Sequence, residues 1–404
     1  AAEVATIATT ESLDAGGRTV AEAVETGALR LVSLPASVAS APALSAIDAP
    51  ALWHGTAEQT DVFMEWAADT MRSTLPAEAV AALEEFKAGH GPPALLLRGL
   101  GVEGDLEGTD EPRGDPLHYV KVSGARSETC ILGATALFGD RPHGPKELRE
   151  PPAEGEAEKP QKTSVGHLIS QRARVDSRSP AGSSVPLLLH RDGMFDEFGN
   201  YTETNELGEE IFLPDKLYLF CNRADPDSIC TTYLHTMKHV YQMLSEGDRA
   251  LLREVPMFFT MSEQDGTTTE RMDRQRNQIN PDRTGTFTIY GPEDNPTISL
   301  QEVRPVDRSR VPAEAADAYE RLRTIANATR FAVPLMDGDL LILRNNKALH
   351  GRSTYEPRYD SSDRWIQRFS SYTPSQLEAA TTLLEATATA AAAAAAATEP
   401  KAKL

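Results

Sequence analysis

The chain has 404 residues and 40% hydrophobic content, enough for one large catalytic domain or two ordinary ones around a buried core. Forty basic against sixty acidic side chains leave a formal charge of −20, which opposes phosphate backbones and anionic lipid and sets aside nucleic acid and membranes as partners. Only three cysteines occur, Cys130, Cys221 and Cys230, with no CxxC pair, so neither a disulfide framework nor a thiolate zinc site is expected and a reducing cytoplasm is the expected location. Residues 1–17 carry no basic stretch before an apolar one, and nowhere do eighteen apolar residues run together, so neither secretion nor membrane spanning is expected.

In chain order, residues 1–55 read as an N-terminal segment. Residues 56–375 read as a single catalytic domain, and 376–404 as an alanine-rich tail. Val62, Phe63 and Trp66, then Val80, Leu83 and Phe86, recur at helical spacing and are interrupted by Pro76, which predicts two amphipathic helices. The breaker cluster Gly89 to Pro93 leads into the apolar run Ala94 to Leu97, a buried strand. Residues 139–163 turn to Pro, Glu, Gly and Lys and are too poor in apolar side chains to pack, so they read as a surface loop or flap.

Short apolar runs then recur at Val185–Leu189, Leu217–Cys221, Met257–Thr260, Thr286–Tyr290, Phe331–Val333 and Leu340–Leu343, separated by Gly, Pro, Asn and Asp. Such spacing predicts a mainly β domain, a sandwich or barrel. One helix interrupts it, with Pro312 near its start and Tyr319, Leu322 and Ile325 along one face. The alanine tract Ala386 to Ala397 carries no functional signal.

Chemistry concentrates at His190-Arg191-Asp192, directly after Val-Pro-Leu-Leu-Leu. Residues two apart in a strand share a face, so one imidazole and one carboxylate converge from a single strand end. His350 supplies a third ligand from far downstream, after the run Leu340 to Leu343 and the turn Arg344-Asn345-Asn346. Two histidines and a carboxylate on one face of an octahedron leave three positions open, the arrangement of non-haem Fe(II) oxygenases. An HxD pair alone is weak evidence, and a structural histidine beside a surface aspartate is its plain alternative.

The surroundings of His350 carry more. The run Asn345-Asn346-Lys347-Ala348-Leu349-His350-Gly351-Arg352-Ser353, with Arg364 fourteen residues after His350, resembles the clavaminate synthase-like branch of the Fe(II)/2-oxoglutarate oxygenases, of the TauD/TfdA type. In that branch the distal metal histidine lies in an N-x-x-x-x-H-G-R-S run, and the arginine fourteen residues on holds the cosubstrate. A guanidinium fork matches a carboxylate bidentately, as lysine does not. Arg368, four residues further and on the same face if this stretch is a strand, is a second candidate for that carboxylate, with a salt bridge as its structural alternative.

The likeness extends upstream to Leu95–Gly99 and to Pro214–Asp225. Thr232, with Thr231 next to it, matches a threonine that hydrogen-bonds the cosubstrate, although a Thr-Thr pair is also ordinary strand material. The resemblance implies a double-stranded β-helix, or jelly roll, with flanking helices. It implies Fe(II) on His190, Asp192 and His350, and 2-oxoglutarate held by Arg364 and consumed with O2 to succinate and CO2.

Hydroxylation of an amino acid, free or carrier-bound, or of an amino-acid-derived intermediate such as those of antibiotic pathways is the implied reaction. Desaturation or oxidative cyclisation uses the same ligands, and a non-catalytic metal-binding jelly roll is the alternative from a different class. Asp192 speaks against halogenation, because related halogenases lack the carboxylate. The oligomeric state is not legible.

Three departures stand out. Many members of the branch carry Glu where this chain has Asp192. Residues 193–212 are longer and more acidic than the corresponding loop, and 139–163 have no counterpart. His235 and His239 stand at i and i+4 without the glutamate of a zinc-protease motif, and read as an exposed helix face beside Leu234, Val240 and Leu244. His167 reads as structural, before a strand at 168–171 that lines the site. No Walker loop or GxSxG elbow occurs.

Overall fold

A strand whose side chains are apolar on both faces needs cover on both, and that requirement organises this fold. The computed structural model describes residues 17–47, 57–103, 124–142, 169–172, 186–192, 213–259, 287–300, 306–359 and 362–398. Its strands are β1 (Arg30–Ser33), β2 (Ala94–Arg98), β3 (Ile169–Arg172), β4 (Leu187–His190), β5 (Lys216–Arg223) and β6 (Thr232–Thr236). They continue with β7 (Ile289–Tyr290), β8 (Thr297–Ile298), β9 (Phe331–Val333), β10 (Leu340–Arg344), β11 (Ala348–Arg352) and β12 (Trp365–Ser371).

One sheet has the order β1-β2-β10-β5-β12-β3, the other β4-β11-β6-β9, and β7 with β8 forms a separate ribbon. Pairing is antiparallel except between β1 and β2.

A first helix, α1 (Val20–Glu25), precedes β1. Alternation along each strand sends side chains to opposite cores. Leu95, Leu97, Tyr218, Phe220, Leu340 and Ile342 face outward into one core, under α2 (Ala57–Thr74), α3 (Ala77–Lys87) and α4 (Arg126–Phe138). Leu96, Leu217, Leu219, Leu341, Leu343 and Ile366 face the second sheet and meet its Leu234, Phe331, Val333 and Ala348. Beyond that sheet, Leu189, Tyr233 and Leu349 face a third core, under α5 (Met237–Met243), α6 (Glu246–Glu254) and α7 (Ala313–Ala328). The result is a four-layer body of helices, sheet, sheet and helices, with each fully buried Leu or Phe contributing about 1.5–3 kcal/mol.

The helix pair broken at Pro76 and the strand from Ala94 lie where the pattern placed them, as do the runs at Phe331–Val333 and Leu340–Leu343. Tyr319 and Leu322 are fully buried on α7, with Ile325 packed at the edge of the same core. Helix α4 is not foreshadowed by the sequence pattern because nearly all of its residues are buried. A helix without a wide polar face shows no amphipathic period.

Of the expected strand at Met257–Thr260, the described residues form isolated bridges at Met257 and Phe259, the latter to Val306. Of the run at Thr286–Tyr290, the described residues form a strand only at Ile289–Tyr290. Both lie outside the two large sheets, where no long ladder supports them. Residues 30–33, inside the segment set apart as 1–55, pair with β2 in the main sheet, and the alanine-rich end continues a helix, α8 (Pro374–Thr398). Residues 143–163, His167 and residues 193–212 lie outside the described residues. Among the described residues, no helix is long and apolar enough to cross a membrane.

The chain passes repeatedly between the two sheets. The turn at residues 345–347 carries the chain from β10 in the larger sheet to β11 in the smaller, and β5 passes to β6 in the same sense. Residues adjacent in sequence thereby serve both sheets.

Candidate active site

His190 closes β4 and is paired in register with His350 on β11, so the two imidazoles stand side by side with ring centroids 4.3 Å apart. Residues 188 and 190 of β4 and 348, 350 and 352 of β11 alternate with Leu189 and Leu349, which face the helices. Both histidines therefore point into the space between the sheets. Asp192, two residues past His190, follows to the same side. Its Oδ1 is 3.6 Å from His190 Nε2 and its Oδ2 is 3.7 Å from His350 Nε2. One ligand atom from each of the three lies within 4.8 Å of the others.

The protonation states suit a cation. His190 Nδ1 lies 2.9 Å from the Leu188 carbonyl, which only accepts, so Nδ1 carries a proton and Nε2 is the ring nitrogen turned toward the carboxylate. Burial, reinforced by His190 and partly opposed by Asp192, pushes His350 down to about 3, so it is a neutral ligand at ordinary pH. Burial alone raises the Asp192 carboxyl, but Arg368, then His350 and His190, outweigh it and hold the group well below the usual range, ionised. Cis ligand atoms about 2.1 Å from an octahedral ion lie about 3 Å apart, slightly closer than the three are here. A modest inward shift suffices, and the donor set fits a 2-His-1-carboxylate ion site.

Opposite the triad, the larger sheet presents arginines. Arg368 of β12 reaches across and pairs with Asp192 Oδ2, linking the two sheets at the site. Arg364 stands immediately before β12, near Cys221 and Tyr355. Its side chain is 6% exposed and makes no hydrogen bond or ion pair among the described residues. A buried guanidinium without a counter-charge is costly, which fits a place kept for an anionic ligand. Thr232, at the start of β6 and opposite Arg352 of β11, is 3% exposed with its hydroxyl unpartnered among the described residues. Thr231 instead ties its backbone to Ser353.

The run around His350 has a physical account residue by residue. A Cβ on Gly351 would stand 2.5 Å from the Leu187 carbonyl oxygen and 3.0 Å from that of Leu188, so only glycine lets β4 lie against β11 where the ladder shifts register. Ser353 donates its N–H to the Thr231 carbonyl at 3.0 Å and accepts from Thr231 N–H at 2.9 Å, locking the start of β6 to the end of β11. Asn345, read from sequence only as part of a turn and a motif letter, bonds the backbone of Asp192 with its carboxamide. Arg191, the middle residue of the HxD pair, is 2% exposed. It donates Nε to the Asn345 carbonyl at 3.1 Å and meets the Tyr290 hydroxyl.

The expected exposed histidine face is not what forms. His235 lies on strand β6, fully buried, with Nε2 2.9 Å from Thr329 Oγ1, and only His239 is helical. The β6 pairing with β11 and β9 decides this, because His235 must continue that ladder before α5 can start at Met237.

A helix-flanked pair of antiparallel sheets with two histidines and an aspartate converging between them defines a class of metal-site β protein. Residues 152–370 match the family described as taurine catabolism dioxygenase TauD, TfdA family, and the chain belongs to that family. Clavaminate synthase 2 of Streptomyces clavuligerus is 26% identical over 74% of this chain and 81% of its own length. L-asparagine oxygenase of Streptomyces coelicolor is 25% identical over 75% and 79%. The solved structure of the non-haem iron oxygenase OrfP with Fe, succinate and (3R,4R)-dihydroxy-L-Arg superposes with a TM-score of 0.60 at 21% identity, covering 85% of this chain and 94% of that one.

Proposed function

We propose that the protein is an Fe(II)- and 2-oxoglutarate-dependent dioxygenase that hydroxylates a C–H bond of an amino acid or of an amino-acid-derived intermediate, with release of succinate and CO2. The observation that carries this reading is the juxtaposition of His190, Asp192 and His350 on one sheet with Arg364 and Arg368 on the other. In this reading the two sheets are the halves of a jelly roll forming a single catalytic domain, with the triad in the space between them.

His190, Asp192 and His350 hold the ion through Nε2, a carboxylate oxygen and Nε2. When bound, Fe(II) supplies three further coordination positions, for the keto acid of oxoglutarate and for O2, and the redox chemistry that oxidises the substrate. Arg364 receives the distal carboxylate of oxoglutarate, and the Thr232 hydroxyl, unpartnered among the described residues, donates a hydrogen bond to the cosubstrate. Arg368, paired with Asp192, is the second guanidinium that would face the cosubstrate carboxylate. The paired sheets and the leucines beneath the site exclude water, which strengthens each of these contacts.

Relatives named for clavaminate synthesis and for asparagine oxygenation, and a neighbour bound to a hydroxylated arginine, support a substrate among the amino acids. The three cysteines are free and buried, in keeping with a reducing cytoplasm. The test is succinate release from 2-oxoglutarate with Fe(II) and O2 across an amino-acid panel. Wild type is expected to couple succinate to a hydroxylated product with one of them. Undiminished turnover in His350→Ala overturns the assignment.

A further inference from the structure

We infer that Asn345 is a positioning residue for the metal-binding carboxylate, acting through the backbone of Asp192; this rests on the reading of His190, Asp192 and His350 as the Fe(II) ligands. Strand β4 ends at His190, whose pairing with His350 is the last rung of that ladder, so sheet register does not hold Asp192. The Asn345 carboxamide does. Its Oδ1 accepts from Asp192 N–H at 3.1 Å, and its Nδ2 donates to the Asp192 carbonyl at 3.1 Å. Two bonds from one planar group to one residue fix both that residue's position and the rotation that aims its side chain.

The same Nδ2 donates to the Pro214 carbonyl at 3.0 Å. One amide thus joins the backbones of Asp192 and Pro214. Asn345 is itself fixed. It is 1% exposed, its N–H donates to the Asp215 carbonyl at 2.8 Å, and its carbonyl accepts from Arg191 Nε at 3.1 Å. Only asparagine meets this demand. Aspartate loses the donor, glutamine carries the amide one methylene too far, and alanine leaves an N–H and two carbonyls unpaired.

The experiment uses Co(II) as the probe ion in the full chain, with affinity measured calorimetrically in the absence of oxoglutarate. Asn345→Ala is expected to weaken Co(II) binding about 10–100-fold, the range for loss of a group that orients a metal ligand. In the Asp192→Ala background the same change is expected to alter affinity less than about twofold, because the effect runs through Asp192. Asn346→Ala, next along the turn, is expected to bind as wild type does.

Asn345→Asp keeps the shape and the acceptor but not the donor. It is expected to lose affinity to a similar extent, and it decides the matter if the alanine variant does not fold. Wild-type affinity in a folded Asn345 variant, or an equal loss with and without Asp192, overturns the proposal. If wild type binds no Co(II), or His350→Ala binds it as tightly, the reading of the metal site itself fails and takes the proposal with it.

Discussion

Arg364 illustrates how much one side chain's surroundings say. It is buried, cationic and without a counter-charge among the described residues, while Arg368, four residues on, already holds Asp192. Lysine would supply the charge at Arg364 without the bidentate fork. Arg364→Lys is accordingly expected to raise the KM for 2-oxoglutarate at least about tenfold, roughly 1.4 kcal/mol, while Co(II) affinity measured without oxoglutarate stays at the wild-type level. A KM unchanged by the substitution removes Arg364 from cosubstrate binding.

His235 gives a prediction of a different kind. Burial, with His239 and Arg18 adding, pushes it down to about 3 from an ordinary 6.5. The unfolded chain takes up a proton below 6.5 whereas the folded chain does not until about 3. The stability this neutral histidine allows is thus present above 6.5 and lost as the pH falls toward 3, by about 1.4 kcal/mol per unit. Thermal unfolding of His235→Asn is expected to depend less steeply on pH between 6.5 and 4.5 than that of wild type. Parallel profiles would show that His235 is not what titrates.

At the scale of elements, the contact between β4 and β11 is the feature on which the site depends. It brings His190 beside His350, and Gly351 makes it possible by leaving no atom between the strands. In Gly351→Ala the added methyl would sit 2.5 Å from a backbone oxygen, which neither strand can avoid by a side-chain movement. The expected result is separation of β4, loss of Co(II) binding by more than tenfold, and destabilisation of at least about 2 kcal/mol read from denaturant unfolding. Retention of both metal affinity and stability would mean that the strands lie further apart than described.

Central strands of the larger sheet such as β10 were legible for a simple reason. Runs such as Leu340 to Leu343 are apolar at every position, and burial of both faces is the situation that produces such runs. Helix α4 was not legible for the same reason in reverse, since burial all round erases the polar stripe that reveals a helix. His235 and His239 show the limit of spacing arguments. An i, i+4 pair implies a shared face only if both residues are helical, and here a strand ends between them.

Across the whole molecule, the triad draws on the smaller sheet and the arginines on the larger, so an ion and its cosubstrate would tie the two halves together. Binding to the native state alone stabilises it by about 2.7 kcal/mol at a ligand concentration one hundred times Kd. Co(II) with 2-oxoglutarate, anaerobically, is therefore expected to raise the Tm of wild type by several degrees and to leave His350→Ala nearly unmoved. An equal rise in the two proteins would place the ion elsewhere.

By itself the sequence determined which groups could carry chemistry. An imidazole and a carboxylate two apart at a strand end share a face whatever the tertiary setting, and an arginine fourteen residues past His350 belongs to a pattern that needs no coordinates to be seen. Tertiary structure alone decided that these groups meet. The distance between Asp192 and His350 depends on the pairing of β4 with β11, a turn and a glycine that lets those strands touch, all of them long-range packing. It also assigned Asn345 its place, because a hydrogen bond between residues so far apart in sequence leaves no local period to read.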